Sequence, residues 1–211
     1  MTDEALDEAL DEALDGEAGR WLAAAGSSAA ADGSALFGLF PAVGRVCGRA
    51  PLRGAGPAHP PWTVDQAART RLLGACRERG SALGALFRKL YRHGDTAERL
   101  ALLRAASPLD ARLGVHAVEL VTDALRSNDN RLVEAAMGPY AAARLPQETY
   151  RQGVLKCVSA GVPLSAVAGL DGRTDRELAR MLADYARERR VAGRPVPADI
   201  EPVTSRYPNA R

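Results

Sequence analysis

A few charged side chains in the C-terminal third are the part of the sequence best suited to chemistry. Lys156, one of only two lysines, stands in the largely apolar run 154–157. A lysine in apolar surroundings can act as a ligand-binding cation or as a Schiff-base amine. Its stem can equally cover apolar surface while the amine reaches water. The sequence alone leaves both interpretations of Lys156 open.

Carboxylates near an arginine form a second group. Asp171 lies two residues before Arg173. Asp184 follows Met181 by three residues, which places it next to the apolar stripe of a predicted helix. An acidic side chain in that position is either a catalytic carboxylate with a shifted pKa or one half of a structural ion pair. The spacing of Arg180 and Asp184, at i and i+4, favours an ion pair.

The recurrent catalytic and cofactor signatures are absent from the sequence. It contains no GxGxxG, no GxxxxGK followed by Ser or Thr, no HExxH and no GxSxG, which argues against the common nucleotide, zinc and serine-nucleophile sites. His59, His93 and His116 are isolated, and the three cysteines are widely spaced without a CxxC pair. We therefore predict no metal, no cofactor, and reduced cysteines in the core.

The composition predicts which elements position these side chains. Alanine supplies much of the 46% hydrophobic content, whereas aromatic residues make up 5% and Ile200 is the single isoleucine. Alanine and leucine favour helices, and the β-branched and aromatic residues that favour strands are scarce. The sequence therefore predicts an all-α protein.

Capping signals and apolar stripes divide the chain into six or seven predicted helices. Three pairs of residues have the spacing of a capping box: Thr63 and Gln66, Asp95 and Glu98, and Thr174 and Glu177. The Gly-, Ser- and Ala-rich segment 26–34 and the Gly- and Pro-rich segment 48–61 are predicted to be loops. Short connections between the helices predict a single domain of stacked antiparallel helices, either an irregular bundle or a short α-solenoid.

The N-terminal end differs in charge from the rest of the chain. Its first 17 residues hold eight acidic and no basic side chains, and DEAL occurs three times from residue 3 to residue 14. Leucines at every fourth residue drift around a helix instead of forming one stripe. Residues 1–16 are therefore predicted to be an acidic arm, either disordered or a frayed helix. The helical domain is predicted to cover 17–194, and 195–211 to form an extended tail.

Charge and hydropathy limit the possible partners. Without its first 17 residues the chain has 28 basic and 18 acidic side chains, a net charge of +10. Arginines and carboxylates alternate at helical spacing, however, which is typical of a solvated face and not of a nucleic-acid site. No run approaches the about 20 apolar residues of a membrane-spanning helix, and no signal peptide opens the chain. We predict a cytoplasmic protein that does not span the membrane.

Several segments together resemble the EboA protein family. They are the segments 62–69 (WTVDQAAR), 154–157 (VLKC), 161–164 (GVPL), 169–173 (GLDGR) and 178–186 (LARMLADYA). The resemblance implies a helical protein encoded in ebo-type gene clusters and associated with the trafficking of secondary-metabolite precursors from the cytoplasm towards the periplasm. Such clusters also encode a UbiA-like membrane protein, which the resemblance implies as a partner.

Three functions of different class fit these observations. We favour a non-enzymatic metabolite-binding or adaptor protein in secondary-metabolite biosynthesis or trafficking, because catalytic motifs are missing and the family resemblance points there. The alternatives are an enzyme of the same pathway with a Lys, Asp and Arg site, and a purely structural interaction scaffold. The expected partners are a small metabolite, other proteins of the gene cluster, or both.

The candidate residues combine into one predicted ligand site. It consists of two cations, two carboxylates and two aromatic residues: Lys156 and Arg173, Asp171 and Asp184, and Trp62 and Tyr185. The cations would neutralise an anionic or polar ligand, the carboxylates would orient the cations, and the rings would wall the site. Trp62 has the alternative of a core anchor beside its helix cap. No residue is assigned a catalytic or metal-binding role.

Overall fold

Helices account for almost all of the regular structure. The computed structural model describes residues 3–53 and 61–208. Apart from an isolated antiparallel bridge between Pro51 and Thr63, these residues contain no β-structure. The all-α prediction is therefore confirmed. His59 and half of the predicted loop around it, residues 54–60, lie outside the described residues.

The helices fall into two units along the chain, Met1–Leu120 and Val121–Arg211. The first unit contains α1 to α7, which are Asp3–Ala13, Gly16–Ala31, Leu36–Val46, Val64–Ala75, Gly80–His93, Thr96–Ala105 and Asp110–Leu113. The boundary lies within α8, Val118–Ala124. The second unit contains α9 to α14, which are Asn130–Ala136, Pro139–Arg144, Gln147–Ala160, Leu170–Arg173, Arg176–Val191 and Glu201–Thr204.

In the first unit α4 is the central helix. The helices α1, α2, α3 and α6 all pack against it. Its side chains are therefore buried on several faces, and they include the polar Asp65, Arg69 and Thr70. The predicted capping box fixes its start, because Gln66 Oε1 accepts a hydrogen bond from the Thr63 N–H at 3.3 Å. Buried polar side chains must find partners inside the protein, so α4 is one place to look for a site.

The acidic arm is a helix, α1, that packs against α4. Leu10 is fully buried and Leu6 and Ala9 nearly so. Arg71 of α4 donates hydrogen bonds to the carboxylates of two acidic residues of α1, at 2.7 and 2.5 Å. Those residues are Asp7 and Asp11. Of the two alternatives left open by the sequence, the structure therefore has the helix.

The segment 26–34, predicted to be a loop, is helical up to Ala31. This prediction was wrong because the small side chains serve a helix contact. Ala29 is fully buried, and a Cβ atom on Gly26 would lie 3.9 Å from the Ala75 side chain of α4. Close packing of α2 on α4 outweighs the low helix propensity of glycine and serine.

In the second unit α11 packs against both α9 and α13. It starts directly after Pro146, and the Gly161 cap has a left-handed φ of 78°. Tyr150, Val154 and Cys157 point into the core from α11 and are fully buried.

The start of α13 differs from the prediction by one residue. The capping-box spacing of Thr174 and Glu177 indicated Thr174 as the cap, but Asp175 takes that place and its carboxylate accepts a hydrogen bond from the Leu178 N–H at 2.9 Å. The Thr174 hydroxyl instead donates to the Leu170 carbonyl at 2.7 Å. A carboxylate beside a helix N-terminus also gains from the helix dipole, which explains why the aspartate is preferred.

The C-terminal segment is not the extended tail that the sequence predicted. It contains a 3-10 turn at Ala198–Ile200 followed by α14. Ile200 is 2% exposed and Val203 is 4% exposed, and α14 packs against α13. These two apolar residues are the buried part of this short segment.

Candidate functional site

Arg173, the predicted ligand-binding arginine, lies at the end of the short helix α12 and has no free donor. Its Nη1 donates to the carbonyls of Ala141 and Ala142, both at 3.1 Å. Its Nη2 donates to the Leu145 carbonyl at 2.8 Å and to Gln147 Oε1 at 2.9 Å, and its Nε donates to the same Oε1 at 3.1 Å. A guanidinium has five N–H donors, and these bonds occupy all of them. Arg173 therefore caps the C-terminal end of α10.

The aromatic ring beneath this guanidinium belongs to Tyr150. The Arg173 guanidinium carbon lies 4.2 Å from the centre of the ring, a cation–π distance. The Tyr150 hydroxyl donates to the Ala168 carbonyl at 2.7 Å. Burial raises the pKa of Tyr150 to about 12, so the phenol stays protonated and serves as a donor. Arg173 and Tyr150 therefore form a pair whose contacts are structural.

Asp175 connects the pair of Arg173 and Tyr150 to α13. It is the carboxylate near this pair with the largest shift in pKa. It accepts hydrogen bonds from Arg151 Nη2 at 2.6 Å, from the Leu178 N–H at 2.9 Å and from Gln147 Nε2 at 2.8 Å. Hydrogen bonding by Arg151 is the main cause that lowers the pKa of Asp175 to about 2. Sequence reasoning missed the contacts of Asp175 with Arg151 and Gln147, because these two residues lie more than 20 residues away along the chain.

Asp171 does not orient Arg173, although the two are close in sequence. Its side chain is 87% exposed and pairs with Arg206 Nη2 at 2.5 Å. All five donors of Arg173 have other acceptors. Asp171 is therefore a surface residue that connects α12 to the segment after α14.

Asp184 and Tyr185 lie on α13 and have partners on the same helix. Asp184 accepts from Arg180 at 2.7 Å, as the i,i+4 spacing predicted, and pairs with Arg187 at 2.9 Å. The Tyr185 ring is half-buried with the Arg189 guanidinium 5.9 Å from its centre. The contacts of Asp184 are thus those of the structural ion pair that the sequence favoured.

Lys156 is half-buried on α11, and its amine has no hydrogen-bond or ion-pair partner among the residues that the structure describes. It is also separate from the other candidates. Within the second unit, no hydrogen bond or ion pair joins any two of the five predicted residues that lie there. Those residues are Lys156, Asp171, Arg173, Asp184 and Tyr185. The predicted ligand role of Lys156 stays a prediction.

Trp62, the sixth predicted residue, belongs to the first unit. It is 5% exposed, and the Arg104 guanidinium lies 4.3 Å from the ring centre. Its carbonyl accepts a hydrogen bond from the Leu52 N–H at 2.7 Å, beside the Thr63 cap. These contacts are those of a core anchor at the start of α4, the alternative that the sequence left open.

A cleft along α13 brings together residues that the sequence did not single out. It has a volume of about 360 Å³. Its apolar lining comes from α13 and the C-terminal segment, and consists of Ala183, Ala186, Val196, Pro197, Ala198 and Ile200. Three polar residues complete the lining: Arg190, Glu201 and Thr204. Arg190 and Glu201 are exposed, and neither side chain has a hydrogen-bond or ion-pair partner among the described residues. The cleft is therefore amphipathic, with an available cation and an available carboxylate.

Comparison with known proteins gives the family. A family model described as metabolite traffic protein EboA matches residues 2–204. The chain belongs to the EboA family. No curated protein and no solved structure gives a significant match to it. The resemblance seen in the sequence is confirmed, and the family description associates this EboA chain with metabolite traffic.

In this EboA chain the first unit holds a second polar cluster, fully buried in α4. Arg69 is 0% exposed, and its Nη1 donates to Asp65 Oδ2 at 2.5 Å while its Nε donates to the Phe40 carbonyl at 3.1 Å. The Thr63 hydroxyl donates to Asp65 Oδ1 at 2.6 Å. Arg69 Nη2 is buried without a hydrogen-bond partner among the described residues. Both charged residues lie in the EboA-like segment 62–69, and only their i,i+4 spacing could have indicated the pair.

The described residues of the EboA chain also bear on metal sites, reactive thiols and membrane-spanning helices. The residues that the structure describes contain no group of three or more His, Cys, Asp or Glu that could hold a metal ion. Cys76 and Cys157 are buried free thiols, and burial raises the pKa of Cys157 to about 12, which keeps it unreactive. None of the described helices is both long enough and apolar enough to cross a bilayer.

Proposed function

We propose that this EboA-family protein binds a small metabolite without transforming it, and holds the metabolite while it passes between proteins of one pathway. The observation that carries the proposal is the amphipathic cleft along α13. Its volume of about 360 Å³ falls within the range of roughly 300 to 1,000 Å³ that is usual for small-molecule sites. The family description, metabolite traffic, gives the functional context.

The lining of the cleft supports a ligand with both apolar and polar parts. Ala183 and Ala186 are small, so the α13 wall leaves room for an apolar group. Arg190 can donate to an anionic or carbonyl oxygen, and Glu201 can accept from a hydroxyl or amine of the same ligand. These two side chains take the place of Lys156 in the site we propose.

Of the residues predicted from sequence, Asp184 and Tyr185 lie on the helix that forms one wall, but neither lines the cleft, so neither is part of the proposed site. Arg173 is not part of it either, because its donors are saturated by backbone carbonyls and Gln147. Lys156 stays a separate candidate that the same experiment can test. We expect the protein to act in the cytoplasm, with other proteins of its gene cluster, including a UbiA-like membrane protein, as partners.

Native mass spectrometry of the protein purified from a host that carries its gene cluster tests the proposal. We expect a co-purifying small molecule that is lost in Ala183→Trp, which fills the cleft, and in Arg190→Ala. Arg194→Ala is the matched control, because Arg194 carries the same charge and is exposed outside the cleft lining. Lys156→Ala should keep the molecule.

Each other outcome identifies a different function. A small molecule lost only in Lys156→Ala would move the site to α11. A protein that arrives without a small molecule but bound to another cluster protein, equally in all variants, would support the scaffold. Conversion of the bound molecule into a product on incubation would make the protein an enzyme and contradict the proposal.

A further inference from the structure

The α3 helix of the first unit has an apolar side that faces outward. Leu36, Phe40 and Val43 point inward and are at most 1% exposed. Two large apolar side chains at the borders of this inward side are partly exposed, Phe37 at 41% and Val46 at 37%. Since a residue advances about 100° around a helix, these two mark the edges of the outward face.

The residues between those edges are small or apolar, with one exception. We call this surface the outer α3 face, and it consists of Phe37, Gly38, Pro41, Ala42, Arg45 and Val46. A Cβ atom on Gly38 would meet nothing within 4 Å, so the centre of the face is open. Only Arg45 carries a charge. A face of this composition on a helix that borders water indicates a contact with something outside the chain.

The charges around the outer α3 face are all of one sign over a long stretch of sequence. Residues 33–64 contain no Asp or Glu, whereas Arg45, Arg49 and Arg53 fall within them and are exposed. Among the described residues, the Asp95 Oδ2 lies 3.9 Å from Arg49 Nη2, with both side chains 57% exposed. Such an exposed ion pair contributes little to stability. Arg49 can therefore exchange Asp95 for another anion.

Arg49 also lies close to the helix. Its Nε atom is 2.7 Å from the position that a Cβ atom on Gly44 would occupy, so the guanidinium packs over the glycine backbone of α3. This contact places a cation alongside the apolar side chains, and not at the end of a distant loop. An apolar helix face bordered by arginines is the composition that binds at the interface of an anionic bilayer.

We propose that the outer α3 face docks peripherally on an anionic membrane surface. The apolar residues would enter the boundary between headgroups and acyl chains, and the three arginines would contact lipid phosphates. A nucleic acid would use the arginines but not the apolar face, and the absence of acidic residues over 33–64 fits an anionic surface. This inference is independent of the metabolite cleft.

Vesicle co-sedimentation of the full chain tests the proposal. The probe is a phosphatidylcholine vesicle with about 30% phosphatidylglycerol, compared with pure phosphatidylcholine at low and high salt. We expect binding to the anionic vesicles that weakens with salt, as charge screening requires. The triple variant Arg45→Gln, Arg49→Gln, Arg53→Gln should bind about a hundredfold more weakly, since each arginine contributes about fivefold near such a surface. Phe37→Glu with Val46→Glu should weaken binding at least tenfold, on the order expected for losing the apolar contact.

Two matched controls should bind like the unchanged protein. Val115→Glu places a charge at another exposed apolar residue, 60% exposed, and Arg88→Gln with Arg92→Gln removes exposed arginines of α5. Circular dichroism and a melting curve verify folding of every variant. Failure of the unchanged protein to bind anionic vesicles, or equal binding by all variants, would overturn the proposal. A change from oligomer to monomer in Phe37→Glu with Val46→Glu, without any vesicle binding, would identify the face as a contact between copies of the chain.

Discussion

Arg69 of the first unit and Arg173 of the second show two ways of burying a guanidinium. Arg69 is completely buried beside Asp65, and its Nη2 has no hydrogen-bond partner in the part of the chain that the structure describes. Arg173 is only partly buried, yet its donors form three hydrogen bonds with backbone carbonyls and two with the amide oxygen of Gln147. The first arginine is held by charge and the second by hydrogen bonds to polar but uncharged groups.

This difference indicates how to judge an arginine as a ligand site. The first unit has a partial counterpart of Arg173 in Arg112 of α7, which donates to the carbonyls of Gly74 at 2.6 Å and Glu78 at 2.9 Å, and to that of Cys76. Unlike Arg173, Arg112 leaves its Nε buried without a hydrogen-bond partner among the described residues. In both units a four-residue helix supplies an arginine that caps an earlier helix. Donors that are bonded or enclosed inside the protein mark a structural arginine, whereas solvent-exposed donors without a partner among the described residues, as on Arg190, mark a binding candidate.

The largest effect should come from breaking the buried pair in α4. Arg69→Met leaves the Asp65 carboxylate buried without its cation, and we expect a loss of about 3 to 5 kcal/mol in the free energy of unfolding. The double variant Asp65→Leu with Arg69→Met should recover more than half of that loss, since it removes both charges. Urea unfolding measures each value. A single-variant loss below about 1 kcal/mol would mean that the pair is not held in the interior.

Arg173→Ala should have the next largest effect. It leaves the carbonyls at the end of α10 without donors, and we expect a loss of about 2 to 3 kcal/mol, typical of hydrogen bonds from a charged group. Arg173→Lys should rescue little, because an ammonium cannot reach acceptors in a planar fork. Arg206→Ala is the control and should be nearly neutral, since Arg206 is 46% exposed. If Arg173→Ala kept full stability but lost a bound metabolite, the original ligand prediction would be right.

The pH dependence of the free energy of unfolding tests the contribution of Asp175, which lies beside Arg173 in the second unit. Its folded-state pKa of about 2 lies below its ordinary value, mainly because Arg151 donates to it. The stabilisation is therefore fully present above about pH 4 and is lost as the pH falls towards 2. We expect roughly 1 kcal/mol, discounted because the side chain is 35% exposed and solvent screens it. Asp175→Asn should lack this acid-dependent loss in urea unfolding, whereas Asp171→Asn, at a side chain 87% exposed, should retain it.

Much of the fold could be predicted from the sequence because the relevant signals are local. Alanine- and leucine-rich composition predicted the helices, and the capping boxes at Thr63 and Asp95 are both present. The errors arose where tertiary packing decides. Gly26 and its neighbours belong to a helix because they allow α2 to approach α4, and no local rule distinguishes that use of small residues from a loop.

The candidate site was harder to predict, because partners far apart in sequence decide what a side chain does. Arg173 and Asp171 suggested a pair, but their acceptors and donors are at Ala141 and Arg206. Residue type predicted which side chains carry charge, and i,i+4 spacing predicted the contact of Arg180 with Asp184. The number of donors already used can be counted only in the folded chain.

The smallest effect should come from Asp184, whose pairs with Arg180 and Arg187 are exposed and lie on one helix. We expect Asp184→Asn to shift the melting temperature by no more than about 1 °C, because exposed pairs of this kind contribute little. Binding in the cleft should also be unchanged, since Asp184 is outside its lining, while Arg190→Ala reduces it. If Asp184→Asn melted normally but lost the metabolite as completely as Arg190→Ala, the ligand would contact the Asp184 side of α13. The site would then extend beyond the cleft to the carboxylate that the sequence first indicated.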